Sequence, residues 1–173
     1  MTWEKPLPVE LAQEICRLRD RMEKEIARED RGRFNIKTGR GGLVDVEFIT
    51  QYLQLLHGQA HPSVRSPNTL EALEALRQAG VLAGCAADSL MQGYRFLRRL
   101  ENKLRLLHDQ SISEISPEPL QLRKLARLLG YEGTLGPPEE QFLEAYRTTT
   151  EGLRSLFERY LCPAATEEGE SQF

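Results

Sequence analysis

Apolar residues in this chain return every three to four positions, segment after segment, and Gly or Pro marks the breaks between segments. That period is the spacing of one face of an α-helix, and it predicts an all-α domain. The first run, Leu11, Ile15, Leu18, Met22 and Ile26, places a helix over 8–28. Later runs place helices over 42–56, 69–79, 86–109, 119–129 and 139–161. Asn68 or Thr69 followed by Glu71 is a helix start, Pro138 suits a first turn, and Gly80 and Gly130 are stops. The longest helix carries Leu90, Tyr94, Leu97, Leu100, Leu104 and Leu107 on its apolar stripe. No regular series of strands and no internal repeat competes, so the expected architecture is a bundle of about six helices.

One stretch breaks the pattern. Near residues 32–42, Phe34 and Ile36 alternate with polar residues as an extended segment would, and Gly39, Gly41 and Gly42 follow as a non-helical glycine-rich loop before the second helix. SISEISPEP reads as a second, plain loop. The helical domain then occupies 1–161, and the acidic tail 162–173, without apolar periodicity, is expected to be disordered.

Composition narrows the functional classes. Lys and Arg number 23 against 26 Asp and Glu, a net charge of -3, which excludes the basic footprint of a dedicated nucleic-acid binder. The charge run from Arg17 to Arg33 alternates in sign, as a solvated face laced with i,i+4 pairs does. Neither a secretory h-region nor a membrane-length apolar run is present. Three widely spaced cysteines, Cys16, Cys85 and Cys162, suggest no disulfide framework and no CxxC site. They are expected as small buried residues, in a protein of the reducing cytoplasm.

Chemistry concentrates in the exceptional stretch. Lys37-Thr38-Gly39-Arg40-Gly41-Gly42 invites a phosphate-loop reading, yet it is neither GxxxxGK[ST] after a strand nor GxGxxG in a βαβ unit. Asp45 and Glu47 fall in the first turns of the next helix, where the dipole favours carboxylates; Glu47 and Gln51 share a face. Lys37, Arg40, Asp45, Glu47 and Gln51 therefore form either an ion-pair network tying loop to helix or a wall near a nucleotide. Arg98, Glu101 and Arg105 make an intrahelical charge row that could also dock another domain. His57 and His61 are four apart, but Gly58 and Pro62 make theirs a loop, so no metal site is expected among the histidines. No GxSxG elbow indicates covalent catalysis.

The string Ile36-Lys37-x-Gly39-x-Gly41-Gly42-Leu43-x-Asp45-x-Glu47-Phe48-Ile49-x-Gln51 resembles the signature of the helical domain that follows the nucleotidyltransferase core in glutamine synthetase adenylyltransferases. A related helical domain occurs in PII uridylyltransferases. The likeness continues through Tyr52-Leu53-Gln54-Leu55, Asn68-Thr69, Gly80 and Tyr94-Arg95-Phe96-Leu97-Arg98-Arg99-Leu100-Glu101, covering roughly residues 5–161. The resemblance implies a multifunctional, cytoplasmic enzyme of nitrogen regulation that transfers AMP from ATP, with Mg2+, to glutamine synthetase or removes it, under control of the PII protein. It also implies a catalytic domain upstream. The Gly-Ser motif and paired aspartates of such a core are absent, so this chain is expected to be an accessory domain, inactive alone and carrying no cofactor itself. Phe48-Ile49-Thr50-Gln51-Tyr52-Leu53 resembles the C-terminal, adenylylating half of the enzyme, and the acidic tail fits a natural C-terminus. Phe96-Leu97-Arg98-Arg99-Leu100-Glu101 also resembles the N-terminal, adenylyl-removing half. A module binding PII or glutamine synthetase without touching nucleotide, or the helical domain of a PII uridylyltransferase, remains open.

Overall fold

The computed structural model describes residues 10–27 and 32–162. Six α-helices account for most of these: α1 Leu11–Met22, α2 Leu43–His57, α3 Thr69–Gln78, α4 Gly84–His108, α5 Pro119–Leu128 and α6 Pro138–Leu161. The all-α bundle therefore stands, and α2 to α6 begin and end within a few residues of the expected limits. A π-helical turn, Glu23–Ala27, continues α1, and a 3-10 turn, Pro62–Val64, interrupts the loop after α2. The acidic tail beyond Cys162 lies outside the described residues.

The caps follow from local chemistry. Asn68 accepts a hydrogen bond from the Glu71 amide at 3.1 Å, occupying a donor that a helix start leaves open. At the other end of α3, the amides of Gly80 and Val81 close on the carbonyls of Arg77 and Leu76. Gly130 and Tyr131 repeat that pattern on Arg127 and Ala126 after α5. Both are Schellman closures, which explains why the two glycines marked true stops.

The core sits between α2, α3, α4 and α6. Leu90, Tyr94, Leu97, Leu100 and Leu104 of α4 are buried as the stripe required, with Leu107 half-buried. They meet Val46, Ile49 and Leu53 of α2 and Phe142, Tyr146, Leu153 and Phe157 of α6 in one continuous cluster. Gly93 lets α6 approach α4: a Cβ there would lie 2.7 Å from the Leu153 side chain.

Four expectations need correction. SISEISPEP is not only a loop: Glu114–Ile115 forms β2, antiparallel to β1 Phe34–Asn35, with Phe34 opposite Ile115. Residue pairs this short carry no periodicity to read; the ladder is backed by Phe34, which packs on Tyr146 at 5.3 Å between ring centroids. Second, the stripe of α1 is only partly turned to the core: Ile15 packs against it, and Leu11 and Met22 are half-buried. Ala12, Cys16, Arg19, Glu23 and Ala27 turn inward, whereas Leu18 is 50 % and Ile26 58 % exposed. The helix is rotated by about one residue, or 100°, because Arg19 has a buried partner; within the alternating charge run it is fully buried, not solvated. Third, Cys16 and Cys162 form a disulfide between α1 and the residue after α6, 146 positions apart. Fourth, Cys85 is exposed and free, at the start of α4. No described helix is long and apolar enough to cross a membrane.

Candidate functional site

The glycine loop is built by its own amides. Asn35 Oδ1 accepts from the amides of Lys37 and Thr38, both at 3.0 Å, and turns the chain out of β1. The Gly39 amide donates to the Asn35 carbonyl and the Gly42 amide to the Gly39 carbonyl. Leu43 and Val44, the first two residues of α2, donate to the carbonyls of Ile36 and Lys37. Asp45, in the third position of the helix, reaches back to accept from the Gly41 amide at 2.7 Å. The donors that a phosphate cradle would offer are thus engaged inside the protein.

The glycines serve close approach. Gly41 has φ +68°, and a Cβ on it would fall 1.9 Å from the Thr150 carbonyl oxygen of α6. A Cβ on Gly42 would lie 2.7 and 2.8 Å from the carbonyl oxygens of Lys37 and Ile36. A larger residue at Gly41 would push the loop off α6, and one at Gly42 would strike the loop's own carbonyls.

Asp45 anchors this arrangement from below. It is fully buried and takes Nε of Arg19 on Oδ1, while Arg19 Nη2 donates to the Gly39 carbonyl. Arg154 of α6 approaches the same Oδ1 at 3.5 Å and also pairs with Asp20, Glu23 and Glu158 at 3.1–3.3 Å. Burial pushes the Asp45 carboxyl above its ordinary range, against the opposing pull of Arg19, Arg154 and the Gly41 amide. This cluster joins α1, α2 and α6.

Glu47, two residues further along α2, points about 200° away and belongs to a different set. Its Oε1 lies 3.6 Å from Arg98 Nη2 of α4. Arg98 also donates to Glu101 at 2.8 Å through Nη1, and to the Tyr94 hydroxyl at 3.1 and 2.9 Å through Nε and Nη2. Lys37 reaches from the loop to Glu101 at 3.2 Å. A chain of alternating charge, Lys37, Glu101, Arg98, Glu47, therefore runs from the loop across α4 to α2. Burial, aided by Glu101, raises the Glu47 carboxyl above its ordinary value despite Arg98 and Lys37. Burial also opposes ionisation of Glu101, but the hydrogen bonds from Arg98 and Lys37 outweigh it and hold that carboxyl below its ordinary value.

Beyond Arg98 the surface opens into a polar cleft of about 560 Å³ lined by Glu47 and Gln51 of α2, Asn68 and Thr69 at the start of α3, and Tyr94 and Arg98 of α4. Of the residues expected from sequence, Glu47, Gln51 and Arg98 line the cleft, and Lys37 and Glu101 join Arg98 through the charge chain behind it. Asp45 is beneath the loop instead, and Arg40 goes the other way, to Glu151 at 3.1 Å and Glu158 at 3.5 Å on α6. Arg105 is exposed nearly two turns further along α4 than Arg98. Sequence reasoning overlooked Arg19 and Arg154, the buried partners of Asp45, and Asn68, Thr69 and Tyr94 as cleft walls. The sequence marks Asn68-Thr69 as a helix start, Tyr94 as a core-stripe residue and both as parts of the family likeness, but neither as a site.

Chemically, the cleft offers hydrogen bonds and fixed charge of both signs. Glu47 and Glu101 both face Arg98, and no group of three or more His, Cys, Asp or Glu suited to a metal ion occurs among the described residues. Both carboxylates are paired with Arg98, so neither is presented free to Mg2+.

The family model described as GlnD PII-uridylyltransferase matches residues 17–161. Among curated proteins, the chain is similar to the bifunctional glutamine synthetase adenylyltransferase/adenylyl-removing enzyme of Xanthomonas axonopodis pv. citri, 43% identical over 107 residues, which are 62% of this chain and 11% of that protein. The protein of the same name from Streptomyces coelicolor is 38% identical over 124 residues, 72% of this chain and 12% of the relative. That from Rhizobium meliloti is 32% identical over 139 residues, 80% of this chain and 14% of the relative. The chain thus spans between 11% and 14% of the length of these relatives.

Proposed function

Because the chain belongs to the GlnD PII-uridylyltransferase family, we propose that it acts as the helical accessory domain of an enzyme that adenylylates and deadenylylates glutamine synthetase. The names of the relatives and the small share of them that the chain spans support this reading. AMP transfer, with ATP and Mg2+, belongs to a nucleotidyltransferase domain; this domain orients and supports it. PII and glutamine synthetase are the partners of the intact enzyme, which works in the cytoplasm.

The observation that carries the site reading is the charge chain Lys37, Glu101, Arg98, Glu47 ending at an open polar cleft. Gly39, Gly41, Gly42 and Asp45 hold the loop in place, so that Lys37 and Arg40 project on either side of it while Glu47 and Gln51 present the cleft wall. Those side chains face the nucleotide or the catalytic domain, with Arg98 and Arg105 continuing the docking surface along α4; Glu101, expected there from sequence, is buried and holds Lys37 and Arg98 from beneath.

A second reading, a protein-interaction module for PII or glutamine synthetase, draws on a different feature. Ile15 and Leu18 of α1 with Phe48, Tyr52 and Leu55 of α2 line an apolar groove of about 160 Å³, and Leu56 nearby is 44 % exposed.

Chemical-shift mapping of this chain with ATP and Mg2+, then with PII, separates the two. Shifts centred on Lys37, Glu47, Gln51 and Arg98 with nucleotide support the first. Silence with nucleotide and shifts at Leu18, Phe48 and Tyr52 with PII support the second. In the full-length enzyme, Lys37→Ala and Glu47→Ala should lower turnover; unchanged turnover and stability would remove the site reading.

A further inference from the structure

The inward face of α1 is unlike that of any other long helix in the fold. Its most inward residues are Ala12, Cys16, Arg19, Glu23 and Ala27, counting the π turn; of its large apolar side chains only the partly buried Ile15 packs against the core, while Leu18 and Ile26 are left outside. Among the described residues, three polar or covalent contacts add to this limited apolar seating of α1. These are the buried Arg19 pair with Asp45, the ion pairs of Asp20 and Glu23 with Arg154, and the Cys16–Cys162 disulfide to the end of α6. A buried ion pair returns little net stability once its desolvation is counted. The covalent bond is therefore the contact on which the seating of α1 depends most.

We propose that Cys16–Cys162 is a reversible redox clasp that sets whether α1 is locked onto the bundle, and through Arg19 whether the glycine loop is held in place. Both cysteines are only partly buried, so a small thiol can reach them. The thiolate of a low-molecular-weight thiol attacks one Sγ, the protein S–S bond breaks, and the departing cysteine thiolate takes up a proton. A second small thiol resolves the mixed disulfide. The protein gains two electrons and two protons, and the two small thiols leave as one disulfide. Without the bond, α1 is held by the polar contacts of Arg19, Asp20 and Glu23 and by the limited packing of Ala12 and Ile15. When it lifts, Arg19 leaves both Asp45 and the Gly39 carbonyl, and the loop that aims Lys37 at Glu101 loses its support from below. Local opening of this kind needs one weakly seated element against a well-packed remainder, the contrast between α1 and α4.

The test uses the whole chain equilibrated in reduced and oxidised glutathione mixtures, alkylated, and followed by hydrogen exchange with mass spectrometry. In the oxidised mixture Cys16 and Cys162 should resist alkylation while Cys85 reacts. On reduction, α1 amides should exchange at least ~10-fold faster while α4 amides keep their protection. Cys85→Ser should behave as the unmodified chain, and Cys16→Ser should match the reduced chain in both mixtures. Should Cys16→Ser fail to fold, the glutathione series on the unmodified chain decides by itself. The proposal is overturned if Cys16 and Cys162 stay alkylatable throughout the series, if α1 protection is the same in both forms, or if α4 loses protection together with α1.

Discussion

Asp45 and Glu47 stand two residues apart on one helix and have become parts of two different machines. Asp45 is sealed under the glycine loop with Arg19 and Arg154, and its carboxylate ties three helices to one point. Glu47 is one-third exposed at the rim of a cleft, facing an arginine that is itself nearly half exposed. The physics separating them is helical geometry, since i and i+2 lie on opposite faces. The lesson is that a cluster of charge at a helix start divides into a structural half, where removing one partner strands a buried ion, and an available half, where water softens the same loss.

The sharpest way to break the comparison is Asp45→Ala, which leaves Arg19 buried and unpaired. It should cost about 3–5 kcal/mol, read as the shift in urea midpoint at constant slope. Asp45 variants as stable as the original would mean that the buried cluster anchors nothing. Gly41→Ala tests the same half through the backbone. It places a Cβ against the Thr150 carbonyl at a positive φ, and about 2–4 kcal/mol of stability should be lost. Thermal unfolding of the variant should fall by several degrees, and retention of the original midpoint would show that the loop has room to shift.

The exposed half should answer differently. Lys37→Ala and Arg98→Ala remove half-exposed cations whose shared acid, Glu101, is buried; each leaves Glu101 its other partner and should cost less than Asp45→Ala, about 1–2 kcal/mol, while abolishing any ligand shifts at the cleft. Equal stability losses in the Lys37 and Asp45 variants would erase the distinction.

The smallest effect is one of pH. Glu101 has its folded pKa held below the ordinary value of 4.5, so it contributes stability above that value, lost as pH falls through the folded pKa. Glu47 is raised, so its folded form binds a proton earlier, and its contribution improves as pH falls through the raised pKa towards 4.5. Denaturation from pH 7 to pH 3, done with Glu101→Gln and Glu47→Gln, should show the two carboxyls acting with opposite sign.

Much of the fold was legible. Periodicity placed α2 to α6 because their stripes face the core, and Asn68, Gly80, Gly130 and Pro138 marked true caps because capping is local chemistry. α1 misled for a physical reason: its apolar positions have the period of a core face, but a fully buried Arg19 turns the helix around. A wheel drawn on α2 would already have parted Asp45 from Glu47. The partners Arg19 and Arg154, 26 and 109 residues from Asp45 along the chain, follow from no local pattern.

The sequence by itself determined an all-α bundle, the limits of α2 to α6 and the single glycine loop where charged residues gather, because hydrophobic period, capping and turn residues act within a few positions of one another. Tertiary structure decided how that loop is held. The amides of Gly39, Gly41 and Gly42 are occupied at home, Lys37 and Arg40 part to opposite helices, and Cys16 meets Cys162. Those outcomes depend on which helices become neighbours, and that is settled by packing the whole core at once.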